Sequence, residues 1–330
     1  MSTNKTLKYE TYCNLIKNEL KSIESNYFLG LITRCKNEYF IEEFCNYYLN
    51  EGVDKIFILD DKSDNYDIYK KIKHDPRIFI YYAKNNSNCH DGTCEKTCSC
   101  NRMLANEIYK NIKNKFKWMI YVDVDEFIST KKHIKNTIKD ELMTTYKDVD
   151  CISVPWIMMS AVNKKNPKSV LETNIYRLDY NKKPNYICNS KKGRGKFSIQ
   201  ANGKQVQCKS IFKCSKFDGV HNINNPSDHH PVFPNTKNIN CVESVNNSKV
   251  DLNFKNLNSI IKLREDNITT AFLLCYHYRV ISEEHAITKL TTNNWYKNNG
   301  YKLRHLMKTN TDITDETLKF KSINNKNFFI

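Results

Sequence analysis

Between residues 26 and 130 the chain alternates short apolar runs with amphipathic stretches, and that alternation leaves it few folds. Tyr27 to Thr33 (YFLGLIT) is a nearly continuous apolar run, the signature of a strand buried on both faces. Glu38 to Asn50 then sets Phe40, Ile41, Phe44, Cys45, Tyr48 and Leu49 on one helical face, and Gly52 can take the left-handed conformation that ends the helix. Val53 to Leu59 (VDKIFIL) reads as a second strand and, after a polar segment and a short helix, Arg77 to Tyr82 (RIFIYY) as a third. Leu104 to Ile112 reads as a helix and Lys117 to Val124 (KWMIYVDV) as a fourth strand. Right-handed crossovers between such units predict an α/β fold: a doubly wound, mostly parallel sheet with helices on both faces. Ligands then belong at the carboxyl ends of the strands.

Past Asp150 the regularity weakens. Cys151 to Trp156, Ile175 to Leu178 and Ala271 to Val280 (AFLLCYHYRV) read as strands, whereas 181–247 is largely polar and irregular. Apolar positions at helical spacing over residues 5 to 25 predict an opening helix. The expected organisation is an N-terminal helical extension (1–25), one main domain (26–290, divided at 130 into a nucleotide-binding half and an acceptor half) and a C-terminal helical tail (291–330). No repeat and no glycine-rich hinge divides it further.

At 330 residues and 40% hydrophobic content the chain can bury a sizeable core. Its net charge of +16 attracts anions, whether nucleic acid, acidic membrane or sugar nucleotide. The Lys, Asn, Ile and Tyr excess, with only 8 Gly and 7 Pro, fits an AT-rich genome, viral or cellular, and the charge is spread rather than striped, so nucleic acid is not the expected partner. No apolar run reaches the roughly 18 residues of a transmembrane helix and the opening lacks a signal peptide's apolar stretch, so a soluble, cytoplasmic protein is expected. Most of the 13 cysteines sit singly in apolar segments, as Cys35, Cys45, Cys151 and Cys275 do, and read as reduced core residues.

YVDVDEF, Tyr121 to Phe127, is the most informative stretch. An extended chain points residues i and i+2 to one side, so Asp123 and Asp125 can converge on one point, where two carboxylates need a cation. Oxygen ligands favour Mg2+ or Mn2+ with positions left open for a diphosphate; capping of a following helix is the alternative. Glu126 is a further ligand, an orienter of bound water or a solvent contact. In ILDDKSDNYD, Asp60 and Asp61 stand at a strand's carboxyl end, where an acid can accept from a ribose hydroxyl or base N–H, or can serve turn chemistry along with Ser63 and Asp64. Thr33, Arg34 and Asn37 fall at the end of the first strand, able to meet phosphate or base, with helix capping as the rival role for Asn37. Cys89, His90, Cys94, Cys98 and Cys100 could chelate zinc, clip a loop by disulfide or remain free thiols. His221, His229 and His230 read as solvent-facing loop histidines.

Taken in order, three blocks resemble the family 2-like nucleotide-diphospho-sugar glycosyltransferases, whose fold is called GT-A. TRCKNEYFIEEFCNYYLNEGVDKIFILDDKSDN is similar to their "KNE, long helix, G-(V/A)-D, strand, DD-x-S-x-D" opening, and NRMLANEIYKNIKNKFKWMIYVDVDEFI looks like their "helix, W-(I/M), strand, D-x-D-E-F" block. CYHYRVISEEHAITKL is similar to the "H-Y-(R/K)-x-x-S-x-E-E" segment of a related subgroup, whereas the middle from Lys164 to Asn256 carries little of the pattern. The resemblance implies that Asp123 and Asp125 are the D-x-D that holds Mn2+ or Mg2+ bridged to the diphosphate of a UDP- or GDP-linked donor, with Asp125 counted among the catalytic groups. It also implies that Asp61, with Asp60 beside it, faces the nucleoside. His277 supplies a late metal or diphosphate contact, although alone on an apolar strand it would read as a core histidine, and Arg279 becomes a phosphate partner. Arg102 resembles the family's "R-N" nucleotide element with the order inverted, Asn101-Arg102. Asp218 in KFDGVHN and Glu172 in SVLETN are the candidates for the base that deprotonates the acceptor. The expected activity is sugar transfer from a nucleotide donor to a hydroxyl of a glycan, protein or lipid head group. Its rivals are a metal-dependent phosphoryl or nucleotidyl transferase, which basic residues clustered beside Asp123 would favour, and a non-catalytic binding module on a decayed transferase fold.

Overall fold

A computed structural model describes residues 18–82, 100–182, 187–188, 197–198, 205–221, 230–232, 238–250, 261–293, 296, 298, 300–307 and 311–326. The first apolar run is strand β1 (Tyr27–Cys35), whose alternation feeds two cores: Leu29, Leu31 and Cys35 enter one, Ile32 the other. Helix α1 (Ile41–Asn50) covers the first face with Phe44, Cys45 and Tyr48, and helix α2 (Cys100–Ile112) covers the second with Leu104, Ile108, Tyr109 and Ile112. Gly52 ends the α1 turn at φ +91°, as expected, and a Cβ there would stand 2.5 Å from the Lys139 Cβ. Strands β2 (Lys55–Asp60), β3 (Ile78–Tyr82) and β4 (Phe116–Asp123) run parallel to β1, as the strand-helix alternation predicts.

The strand after β4 was not foreseen. The chain turns at Val124 and Asp125 and continues as β5 (Glu126–Thr130), so no helix follows for Asp123 or Asp125 to cap. Helix α3 (Ile138–Met143) and strand β6 (Cys151–Met158) come next, followed by the short helix α4 (Val170–Thr173), β7 (Cys208–Lys213) and β8 (Cys241–Glu243). Helix α5 (Glu265–Thr270), β9 (Leu273–His277) and helices α6 (Glu283–Thr292), α7 (Leu303–Leu306) and α8 (Thr317–Lys326) complete the described chain. The nine-stranded sheet has the order β3-β2-β1-β4-β7-β6-β9-β5, with β8 beside β6. Only β7 and β5 run antiparallel to their neighbours, so the sheet is mixed but mostly parallel, with helices on both faces: a doubly wound α/β architecture.

Consecutive strands β4 and β5 therefore sit far apart in the order while being joined by a two-residue turn, and the sheet must curl to bring them together. The turn is a seam. Tyr48 of α1 ties down β5 from the outside: its hydroxyl donates to the Glu126 carbonyl at 2.9 Å and accepts from the Ile128 amide at 2.9 Å, while the Tyr47 hydroxyl donates to the Ile128 carbonyl at 2.8 Å. The C-terminal segment packs back on the body. Ile313–Thr314 pairs with Tyr176–Arg177, and Lys321 of α8 donates to Glu51 at 2.8 Å. Cys35, Cys45, Cys151, Cys208, Cys214, Cys241 and Cys275 are buried free thiols, as expected of core cysteines. Cys89, His90, Cys94 and Cys98, the side chain of Cys100, His229 and residues 1–17 lie outside the described residues. Among the described residues no helix is long and apolar enough to cross a membrane.

Candidate functional site

The seam places three side chains able to ligate a metal together at the carboxyl end of β4. His277, the last residue of β9, stands opposite Glu126, the first of β5, and the next amide, Tyr278 N–H, donates to the Asp125 carbonyl at 2.7 Å. Ligand atoms of Asp125, Glu126 and His277 consequently lie within 4.8 Å of one another, with His277 Nε2 3.7 Å from Asp125 Oδ1. Two buried atoms here have no hydrogen-bond partner, Glu126 Oε1 and His277 Nδ1. An orphaned polar atom in the interior is expensive, and a cation is what two carboxylates and an imidazole can hold. Two carboxylate oxygens and one imidazole nitrogen make a donor set for a divalent ion without choosing among metals. Glu126 is fully buried, so it is not the solvent contact considered above; burial lifts its carboxyl to about 7 despite the opposing charge of Lys209.

Cations surround the carboxylates. Lys209, 2% exposed in β7, crosses the seam to reach Asp123 Oδ2 at 3.1 Å and Glu126 Oε2 at 2.9 Å. Glu126 Oε2 also accepts from the Asp123 amide at 2.8 Å, which leaves Oε1 as the oxygen turned elsewhere. Arg34 Nη2 meets Asp123 Oδ1 at 3.3 Å. From α6, Lys289 donates to Asp125 Oδ2 at 2.8 Å and to the Arg279 carbonyl at 2.9 Å, and stands 3.3 Å from Glu38 Oε1. Burial would raise the Asp125 carboxyl, but Lys289 and His277 outweigh it and hold it well below the usual range. Glu38 is held low in the same sense by Lys289 and by His285, whose Nε2 lies 2.8 Å from Glu38 Oε2. Ser282 caps α6 by accepting from the His285 amide at 3.0 Å, so the helix starts where it can present His285 and Lys289, four apart on one face, to Glu38.

Asp125 and His277, and Glu126 as a further ligand, stand together as expected, but the alternation that groups Asp123 with them is broken by the Val124–Asp125 turn. Asp123, its side chain 33% exposed, stands between Arg34 and Lys209 rather than within the three-residue group. Lys209, Lys289, Glu38 and His285 were missed. The i, i+4 pair His285 and Lys289 behind a serine cap was a legible signal; a lysine inside the apolar CKSIF was the other.

The remaining predicted residues divide sharply. Asp60 is fully buried and serves its own turn: Oδ1 accepts from the Ser63 amide at 3.1 Å and Oδ2 from the Tyr69 hydroxyl at 2.6 Å. Asp61 is half-buried beside Arg34, and its amide donates to the Cys35 carbonyl at 2.7 Å. Asn37, at φ 56°, caps no helix; its side chain donates to Asp64 Oδ2 at 2.9 Å and accepts from the Asp64 amide at 2.7 Å, stapling the loops after β1 and β2. Thr33 is buried in β1, register-paired with Val122. Arg279 lies over the rings of Tyr296 and Tyr301, 5.5 and 5.2 Å from their centroids. Arg102 lies on α2 with its side chain outside the described residues. Asp218 is a correction: β7 runs antiparallel to β4, with Lys213 opposite Trp118, so Asp218 falls at the other end of the sheet, where it is 65% exposed and 3.3 Å from Lys113. Glu172 faces α8 and accepts from Ser322 at 3.2 Å. His221 and His230 are buried, not solvent-facing, with His230 Nδ1 2.9 Å from Ser210 Oγ and the His221 ring 5.8 Å from that of Tyr121. No protein-family model matches the chain, and no curated protein matches it either.

Proposed function

We propose that the chain is a glycosyltransferase of GT-A type, moving a sugar from a UDP- or GDP-linked donor to an acceptor hydroxyl, with Mn2+ or Mg2+ held by Asp125, Glu126 and His277. The supporting observation is the convergence of those three side chains, with two orphaned buried atoms among them, at the carboxyl end of β4 where an α/β sheet receives its ligands. When bound, the ion would stabilise the charge that develops on the leaving diphosphate. The chain's own groups prepare that position. Arg34 is the open cation of the cluster, its side chain 39% exposed against 2% for Lys209 and 11% for Lys289, so it is placed to meet an anionic donor. Asp61, beside it at the end of β2, offers an acceptor to a ribose hydroxyl or base.

Arg34 and Lys209 beside Asp123 are also what a metal-dependent nucleotidyl transferase would need. The released nucleotide separates the two readings. Incubation of the protein with Mn2+ and UDP- or GDP-sugars yields the nucleoside diphosphate if a glycosyl group is transferred, and the nucleoside monophosphate with a sugar phosphate if the diphosphate itself is cut.

A further inference from the structure

Lys209 and Lys289 each hold one oxygen of a carboxylate that belongs to the three-residue group and leave its second oxygen unclaimed by a lysine. Lys209 takes Glu126 Oε2 and leaves Oε1 without a partner; Lys289 takes Asp125 Oδ2 and leaves Oδ1 toward His277. Neither ammonium is free to leave. Lys289 has three oxygens for its three protons, from Asp125, Glu38 and the Arg279 carbonyl, and Lys209 is 2% exposed with the Trp156 ring 5.8 Å from its Nζ. With every carboxylate ionised, the most negative state the cluster can offer a cation, Glu38, Asp123, Asp125 and Glu126 stand against Arg34, Lys209 and Lys289, four negative to three positive. One net negative charge does not balance a divalent cation, and a surplus positive charge in a buried cluster is strongly disfavoured.

We propose that Lys209 and Lys289 are internal counter-ions that keep a bare divalent ion out of the centre until an anionic ligand, a diphosphate group, arrives with it. They fix the direction of the carboxylates and would at the same time repel the ion, and the repulsion outweighs the loss of orientation because like charges brought close in a poorly screened site interact strongly. The inference rests on Asp125, Glu126 and His277 as the cation ligands, and does not depend on which group is transferred.

Calorimetric titration of the full chain with Mn2+ alone and with Mn2+ in saturating inorganic diphosphate tests it directly. The wild-type protein binds the ion at least tenfold more tightly with diphosphate present. Lys289→Met binds bare Mn2+ at least tenfold more tightly than wild type and loses most of the dependence on diphosphate, while Lys289→Arg, which keeps the charge, behaves as wild type does. Lys209→Met, read the same way, serves if the first variant does not fold, and the wild-type comparison needs no variant. Bare Mn2+ binding as tight as the diphosphate-loaded ion, or a folded Lys289→Met with unchanged bare-ion affinity, overturns the counter-ion role alone. No Mn2+ binding by the wild-type protein under either condition overturns the centre itself.

Discussion

Asp60 and Asp61 are adjacent and chemically identical, yet the structure gives them opposite fates, and their substitutions separate accordingly. Asp60→Ala strands the Tyr69 hydroxyl and the Ser63 amide in the interior and should destabilise the fold by roughly 1–3 kcal/mol, measured by denaturant unfolding. Asp61→Ala removes a half-buried side chain whose backbone, not its carboxylate, makes the tie to Cys35, so it should leave the midpoint of unfolding nearly unchanged and weaken binding of UDP or GDP with Mn2+. A cooperative loss of fold in Asp61→Ala would return it to turn chemistry. Asp125→Asn keeps the shape and one carbonyl oxygen but removes charge from a buried pair. Sugar transfer and slow donor hydrolysis should both fall by about two orders of magnitude, the scale of losing one preorganised charge contact. The ion-free melting temperature should fall as well, because Lys289 loses its closest counter-charge; near-normal transfer by this variant would remove Asp125 from the mechanism. Asp125 could be found in the sequence because paired acids at the end of an apolar strand are rare enough to be noticed; His277 on an apolar strand reads as a core histidine, and only the resemblance of CYHYRVISEEHAITKL to a glycosyltransferase segment singles it out. Lys209 inside CKSIF and Lys289 four residues after His285 carry faint signals of the same kind, whereas Glu38 has none that separates it from the chain's many surface charges, since what distinguishes it is burial, a property of the finished fold.

At the scale of elements, the βα repeats from β1 to β4 were readable because strands covered on both faces are written as unbroken apolar runs, as YFLGLIT and KWMIYVDV are. Strand β5 was not. Its five residues, EFIST, begin inside the acidic motif with no Gly, Pro or Asn to mark the turn before them, and only pairing with β9 and the tyrosine hydroxyls of α1 establish it. Gly52 shows the reverse case, a backbone demand that the sequence announces: Gly52→Ala must adopt a left-handed conformation and displace Lys139, so thermal unfolding should report a loss of more than about 1 kcal/mol. The segment before α8 is fastened electrostatically. Arg177 holds Glu265 through two bonds of 2.7 and 2.9 Å and Asp315 at 3.0 Å, and Lys131 adds a contact to Asp315 at 3.0 Å. Burial would raise the Asp315 carboxyl, but Lys131, Thr317 and Arg177 outweigh it and bring it to about 2. With the folded value below the unfolded one, on the order of 2 kcal/mol of stability is present in full above about pH 4 and is lost as pH falls toward 2. Asp315→Asn should be less stable at neutral pH and should flatten that acid limb of the stability profile; an unchanged limb would mean the clamp contributes nothing to it.

For the whole molecule, a ligand that binds only the folded chain raises its melting temperature by mass action, on the order of 3 kcal/mol at about 100 times its Kd. UDP or GDP with Mn2+ should therefore stabilise the protein, and the same nucleotide with a chelator should not; equal shifts in both conditions would deny the ion any part in binding. The curl of the sheet has a further consequence, in the order of events as the chain is made. The centre gathers Glu38, Asp125, Glu126, Lys209, His277 and Lys289, residues up to 251 positions apart, around a seam that exists only when β5 has found β9. Such non-local pairing forms late. On a ribosome, the first half of the sheet can assemble as soon as β4 emerges, yet its acidic turn has neither histidine nor α6 lysine to meet until some 150 further residues have been synthesised. The three-residue group therefore assembles only once β9 has been made, and a prematurely terminated chain lacking β9 has Asp125 and Glu126 without His277 or the Lys289 that follows it.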